Sequence, residues 1–180
     1  WTPQELLDKL QEMRVKYAAI TDHNAIKSTL ETIALISQNP DKYKNFKFVA
    51  GCEFLFHGYK DPHSAFEAVG LGFNPFDEAL KPMMQGFASN NHVNDAKKVL
   101  ASGGILSWAH PIITPDKLCD DFFIFLKSHG IEGVEGNYQY IRWDREYVNE
   151  GKKLLEPLIA RFKMLVTGGT DSHRKTIFGR

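Results

Sequence analysis

At 180 residues, 43% of them hydrophobic, the chain can bury one sizeable core, and its length favours a single domain over residues 1–180. Lysine plus arginine balances aspartate plus glutamate at 22 each, so composition gives no sign of a surface for long nucleic acid or a membrane, and an anionic partner must be met locally. No apolar run approaches the roughly 18 residues that span a bilayer, no targeting segment opens the sequence, and Cys52 and Cys119 match no short metal or redox spacing; free thiols fit a reducing compartment.

Thr2-Pro3-Gln4-Glu5 carries a hydroxyl cap, proline at the first helical position and a glutamate placed to close a capping box, ahead of an apolar face of Leu6, Leu7, Leu10 and Met13. A short apolar run, Tyr17 to Ile20, then meets the polar cluster Thr21-Asp22-His23-Asn24 before a periodic segment from Ile26 to Ile36. Phe46 to Ala50 reads as a strand entering Gly51-Cys52-Glu53, and Ala68 to Phe73 as another. The stretch Asn74 to Asn91 reads as an irregular excursion.

Asn94 to Ser102 is helical in pattern and stops at Gly103-Gly104; Ile105 to Ala109 follows and delivers His110-Pro111. Lys117 to Ser128 predicts a helix, and Ile131 to Val134 a strand that delivers Glu135. The longest helical pattern, Asp144 to Phe162, contains Pro157, which predicts a bend or break, and Met164 to Thr167 opens into Gly168-Gly169-Thr170-Asp171-Ser172-His173. This alternation implies an α/β fold with parallel strands.

Five apolar strands thus end in Asp22-His23, Glu53, His110, Glu135, and Asp171 with His173. In a closed parallel barrel such ends converge on one rim. Imidazole and carboxylate suit divalent cations, and paired cations suit an in-line displacement at phosphorus.

The fragments ITDHN, GCE, WAHP, GVEGNY and GGTDSH, in this order, resemble the PHP (polymerase and histidinol phosphatase) family of metal-dependent phosphoesterases, and the resemblance runs from Thr2 to about His173. It implies a distorted seven-stranded (β/α) barrel, a cytoplasmic location, and two or three divalent metals (Mn, Zn, Mg or Fe) that activate water against a phosphate ester. It makes His23, Glu53, His110, Asp171 and His173 metal ligands, Glu53 the bridge, and Asp22 either a ligand or the group that orients His23. Glu135 would line the substrate pocket. The family's first strand, with a His-x-His pair and an Asp, is expected just before Trp1, and this sequence begins inside that motif. Glu67 stands where the family usually has a histidine ligand, with His63 the competing donor. A carboxylate there tilts preference toward harder ions such as Mn²⁺ or Mg²⁺.

Blander roles stand beside these. Asp22 and Asn24 could cap the helix near Ile26, and His57, His92 and His129 read as structural or surface residues. Trp108 reads as core, whereas Trp143 could stack on a base. Arg174, just after His173, is the cation placed to hold the phosphate of a nucleotide, short oligonucleotide or small phosphorylated metabolite. Rival readings are an amidohydrolase-like enzyme, for which no strand-end lysine is found, and a metal-binding domain without activity.

Overall fold

A computed structural model describes residues 1–61, 64–86, 90–138, 140 and 143–172. The capping box forms: Thr2 Oγ1 accepts the Glu5 N–H at 3.2 Å and the Glu5 carboxylate accepts the Thr2 N–H at 2.9 Å, which starts α1 (Pro3–Glu12). α1 buries Leu7 and Leu10 with Tyr43 and Phe46, beside α2 (Lys27–Gln38) and the short α3 (Pro40–Tyr43). β1 (Tyr17–Ala19) pairs in parallel with β2 (Lys47–Val49).

The main sheet contains β3 (Gly51–His57), β4 (Ala65–Leu71), β5 (Asn91–His92), β6 (Ile105–Trp108), β7 (Gly133–Tyr138) and β8 (Leu165–Gly169), in the order β5-β3-β4-β6-β7-β8. α4 (Ala96–Ala101), α5 (Asp120–Ser128) and α6 (Arg145–Phe162) complete the layer against one face. The excursion after β4 is less irregular than expected, because Glu78–Met84 forms a 3₁₀ helix that buries Leu80 and Met83.

Three expectations are corrected. β4 runs antiparallel to both β3 and β6, so the sheet is mixed. Residues 58–64 are too few for a crossover, and a link that short returns the chain as its own antiparallel neighbour. No closed barrel forms among the described residues either, since no ladder there joins β8 to β1. Pro157 does not divide α6, which continues for 18 residues. Both Pro157 and Lys153, whose carbonyl loses its helical donor, lie on the exposed side, where water can replace the bond.

Strand alternation separates a dry face from a chemical one. Cys52, Phe54 and Phe56 of β3, Phe66 and Ala68 of β4, and Leu106 and Trp108 of β6 all lie in the helix-covered core. Trp108 meets Phe122 edge-on at 4.7 Å between ring centroids, and Phe66 does so at 5.4 Å. Side chains of this size each remove on the order of 150–250 Å² from water, several kcal/mol apiece at about 25 cal/mol per Å². That seals one side of the sheet and leaves polar side chains to the other. No helix among the described residues is long and apolar enough to cross a membrane.

Candidate metal centre

Glu53 and Glu135 were expected just beyond strand ends, but both lie within strands, on the face opposite the aromatic core. On that face Glu67 stands across from Leu55, and Ser107, fully buried, shares a 2.6 Å hydrogen bond with Thr167.

His23 reaches this face because the chain beyond β1 crosses β3. The Asp22 carbonyl accepts the Glu53 N–H at 3.1 Å and the Glu53 carbonyl accepts the Asn24 N–H at 2.7 Å, a parallel bridge that seats His23 beside Glu53. Gly51 permits the approach: a Cβ there would stand 2.6 Å from the Ile20 carbonyl oxygen. Asn24, buried and at φ 44°, accepts the Leu55 N–H at 3.4 Å and the Asn91 amide at 2.8 Å, and so ties the crossing to β3 and β5. Asn24→Ala is expected to leave the buried Asn91 amide and the half-buried Leu55 N–H unpaired and cost about 2–3 kcal/mol. Urea denaturation checks this; an unchanged midpoint would show that Asn24 does not hold the crossing.

After β6 the backbone turns sharply at His110, φ 31° and ψ 55°, and the imidazole returns over β3 and β4. His110 Nε2 lies 3.2 Å from Glu53 Oε1 and 3.0 Å from Glu67 Oε2; His23 Nδ1 lies 3.6 Å from Glu53 Oε2 and 3.4 Å from Glu67 Oε1. Each carboxylate therefore gives one oxygen to each histidine, in a closed alternating ring. Two donors held at roughly 2.1 Å by one cation stand about 3.0 Å apart at a right angle and about 3.4 Å apart at the tetrahedral angle. The ring has those spacings, and ligand atoms of His23, Glu53 and Glu67 all lie within 4.8 Å of one another. The donor set fits a divalent cation.

With neutral imidazoles the ring would carry two uncompensated negative charges in a half-buried site, so it draws in protons. Burial opposes the charge of His110, but its hydrogen bonds to Glu53 and Glu67 outweigh this and raise it to about 10. The hydrogen bond to Glu67 likewise raises His23, and Glu67 is held at about 2, by His110 first and His23 second. Glu135 is pushed up to about 7 by burial.

Of the residues singled out from the sequence, the fold brings His23, Glu53, Glu67 and His110 together. Asp171, at φ 43°, accepts a 2.6 Å hydrogen bond from Tyr138 and lies close enough for its charge to act on His23 and Glu135. Asp22, expected to ligate or to orient His23, instead has an exposed side chain and contributes its carbonyl: consecutive residues of an extended segment face opposite ways. His63, His173 and Arg174 lie outside the described residues. Tyr138 was missed, although the NY that ends GVEGNY marks a polar ring beside a predicted strand end. Asn24 does not cap α2, whose N-cap, Ile26, makes no side-chain cap bond.

No family model and no curated protein matches the sequence. Among solved structures, the chain is similar to a provisionally named metal-dependent phosphoesterase from Bifidobacterium adolescentis, with a TM-score of 0.73 at 15% identity over 97% of this chain and 83% of that one. It is also similar to an amidohydrolase from Chromobacterium violaceum, solved with sulfate and no metal, with a TM-score of 0.68 at 14% identity over 96% of this chain and 82% of that one. At these identities the likeness is one of fold, and the chain shares the fold of both proteins.

Proposed function

We propose that this chain is a metal-dependent hydrolase of phosphate esters, with His23, Glu53, Glu67 and His110 as ligands, joined by Asp171 and His173. The observation that carries this reading is the alternating ring of two imidazoles and two carboxylates, in which His23, Glu53 and Glu67 bring ligand atoms within 4.8 Å of one another and His110 meets both carboxylates. Divalent cations, when bound, supply Lewis acidity that polarises a phosphoryl oxygen and acidifies water.

The chain's own residues provide the rest. Glu53 and Glu67 each span both histidines, so both carboxylates would hold the metal together with the imidazoles. Asp171 is oriented by the Tyr138 hydroxyl, and the burial of Glu53 and His110 keeps bulk water from competing for the ligand atoms. Arg174 is the residue we assign to the phosphate, since a guanidinium matches its oxygens in pairs. Asp22, exposed, is left out of the ligand set.

The sequence order of ITDHN, GCE, WAHP and GGTDSH supports the PHP family as the source of this site. The amidohydrolase neighbour keeps C–N bond hydrolysis as the second reading, though carboxylates, not a lysine, span the two histidines here. The full-length protein with Mn²⁺ should release phosphate from phosphomonoesters or cleave phosphodiesters, and lose that turnover to a chelator. Turnover indifferent to chelation, or cleavage of amides alone in the same panel, would overturn the proposal.

A further inference from the structure

We infer that Glu135 is a positioning residue, a buried strut that holds the His110 backbone in its left-handed turn and so aims the His110 ring at the ligand ring. This goes beyond the proposed function and rests on it, because it presumes that His110 is a ligand.

A non-glycine residue at φ 31° persists only when its surroundings hold it there. Three side-chain hydrogen bonds help to do so. Glu135 Oε2 accepts the His110 N–H at 2.9 Å, the Tyr140 hydroxyl accepts the Ile112 N–H at 3.1 Å, and the Tyr147 hydroxyl donates to the Ile112 carbonyl at 3.0 Å. Of the three side chains only Glu135 bonds the His110 backbone, whose carbonyl also accepts the Ile113 N–H within the turn at 3.1 Å, and Glu135 comes from β7, the strand paired with β6.

Glu135 is also enclosed as a strut must be. It is 7% exposed, which leaves little surface to offer a substrate. Its other oxygen, Oε1, lies against Gly169 of β8, where an added Cβ would overlap it. The carboxylate is therefore wedged between the turn and β8, and Gly169 is the residue that makes room for it.

The test compares wild type, Glu135→Gln, Glu135→Ala and Gly169→Ala by Mn²⁺ titration and, without metal, by amide hydrogen exchange at His110. Glutamine keeps an acceptor oxygen and should stay within about threefold of wild type, whereas Glu135→Ala should bind Mn²⁺ about 10–100-fold more weakly and lose protection at the His110 amide. Gly169→Ala, which keeps the carboxylate but displaces it, should follow Glu135→Ala and decides the matter should that variant not fold. Unchanged Mn²⁺ affinity in Glu135→Ala overturns the inference alone, as does a glutamine variant as weak as alanine, which would make the negative charge the essential feature. A wild type that binds no Mn²⁺ overturns the metal reading and this inference with it.

Discussion

Replacing His110 with alanine is expected to lower metal-dependent turnover by about 10³-fold or more and to weaken Mn²⁺ binding by at least about 100-fold. The imidazole is one of only two nitrogens in the ring and the one that meets both carboxylates at hydrogen-bonding distance, 3.2 and 3.0 Å. Its loss also removes the first cause of the low Glu67 pKa, so Glu53 and Glu67 would face each other with His23 alone between them. We expect the metal-free variant to lose about 2 kcal/mol of stability, less than the roughly 3–5 kcal/mol of a fully buried broken pair, because the Glu67 side chain is 27% exposed. Adding Glu67→Gln should recover part of that stability and none of the metal binding. Phosphate release, calorimetric titration and urea denaturation measure the three quantities. A His110→Ala protein that still binds Mn²⁺ like wild type would remove His110 from the site.

The stability of the metal-free protein should fall as pH rises from 6 to 9, and Mn²⁺ should reverse the trend. His110 is raised from 6.5 to about 10, so its contribution is complete below pH 6.5 and is lost as pH climbs toward 10. His23 shifts in the same direction, and Glu135, raised from 4.5 to about 7, gives up its contribution between pH 4.5 and 7. Glu67 is lowered from 4.5 to about 2, so its contribution is present above pH 4.5 and lost only in strong acid. The metal-free optimum from these groups therefore lies near pH 4.5, where the Glu67 contribution is complete and the losses at Glu135 and His110 have not begun, with a fall of roughly 5 °C in Tm between pH 6 and 9. A cation must displace the protons on the histidines, so binding at pH 7.5 should release about one to two of them and tighten as pH rises. Calorimetry in buffers of different ionisation enthalpy counts the protons. Binding that releases none would show that these histidines are not the ligands.

The sequence was most informative where local rules govern. The capping box at Thr2, the strand leading to His110 and the long helix after Asp144 all lie where composition and spacing place them. Strand and helix alternation by itself carries no sign of the reversed direction of β4; the shortness of residues 58–64 does. Pattern alone ends one strand at Ala50 and another at Val134, just short of Glu53 and Glu135, whereas the alternation of Cys52, Phe54 and Phe56 already marks a strand with Glu53 on its other face. Within the site, His23, Glu53 and His110 were identifiable from the motif order. Asn24 was not, because its partners, Leu55 and Asn91, lie 31 and 67 positions away, and a local cap was the only role its neighbours could suggest.

Glu53, Glu67 and Glu135 owe their orientation to odd and even positions along paired strands, and β4 is clasped on both edges, with Glu67 opposite Leu55 and Ala68 opposite Trp108. Inserting or deleting a single residue in β4 would turn Glu67 toward the aromatic core and swing Phe66 or Ala68 into the ring of donors. Ancestry and engineering alike should therefore vary this strand by exchange of side chains and not by change of length; a frame slip of one position would unmake the centre at a stroke.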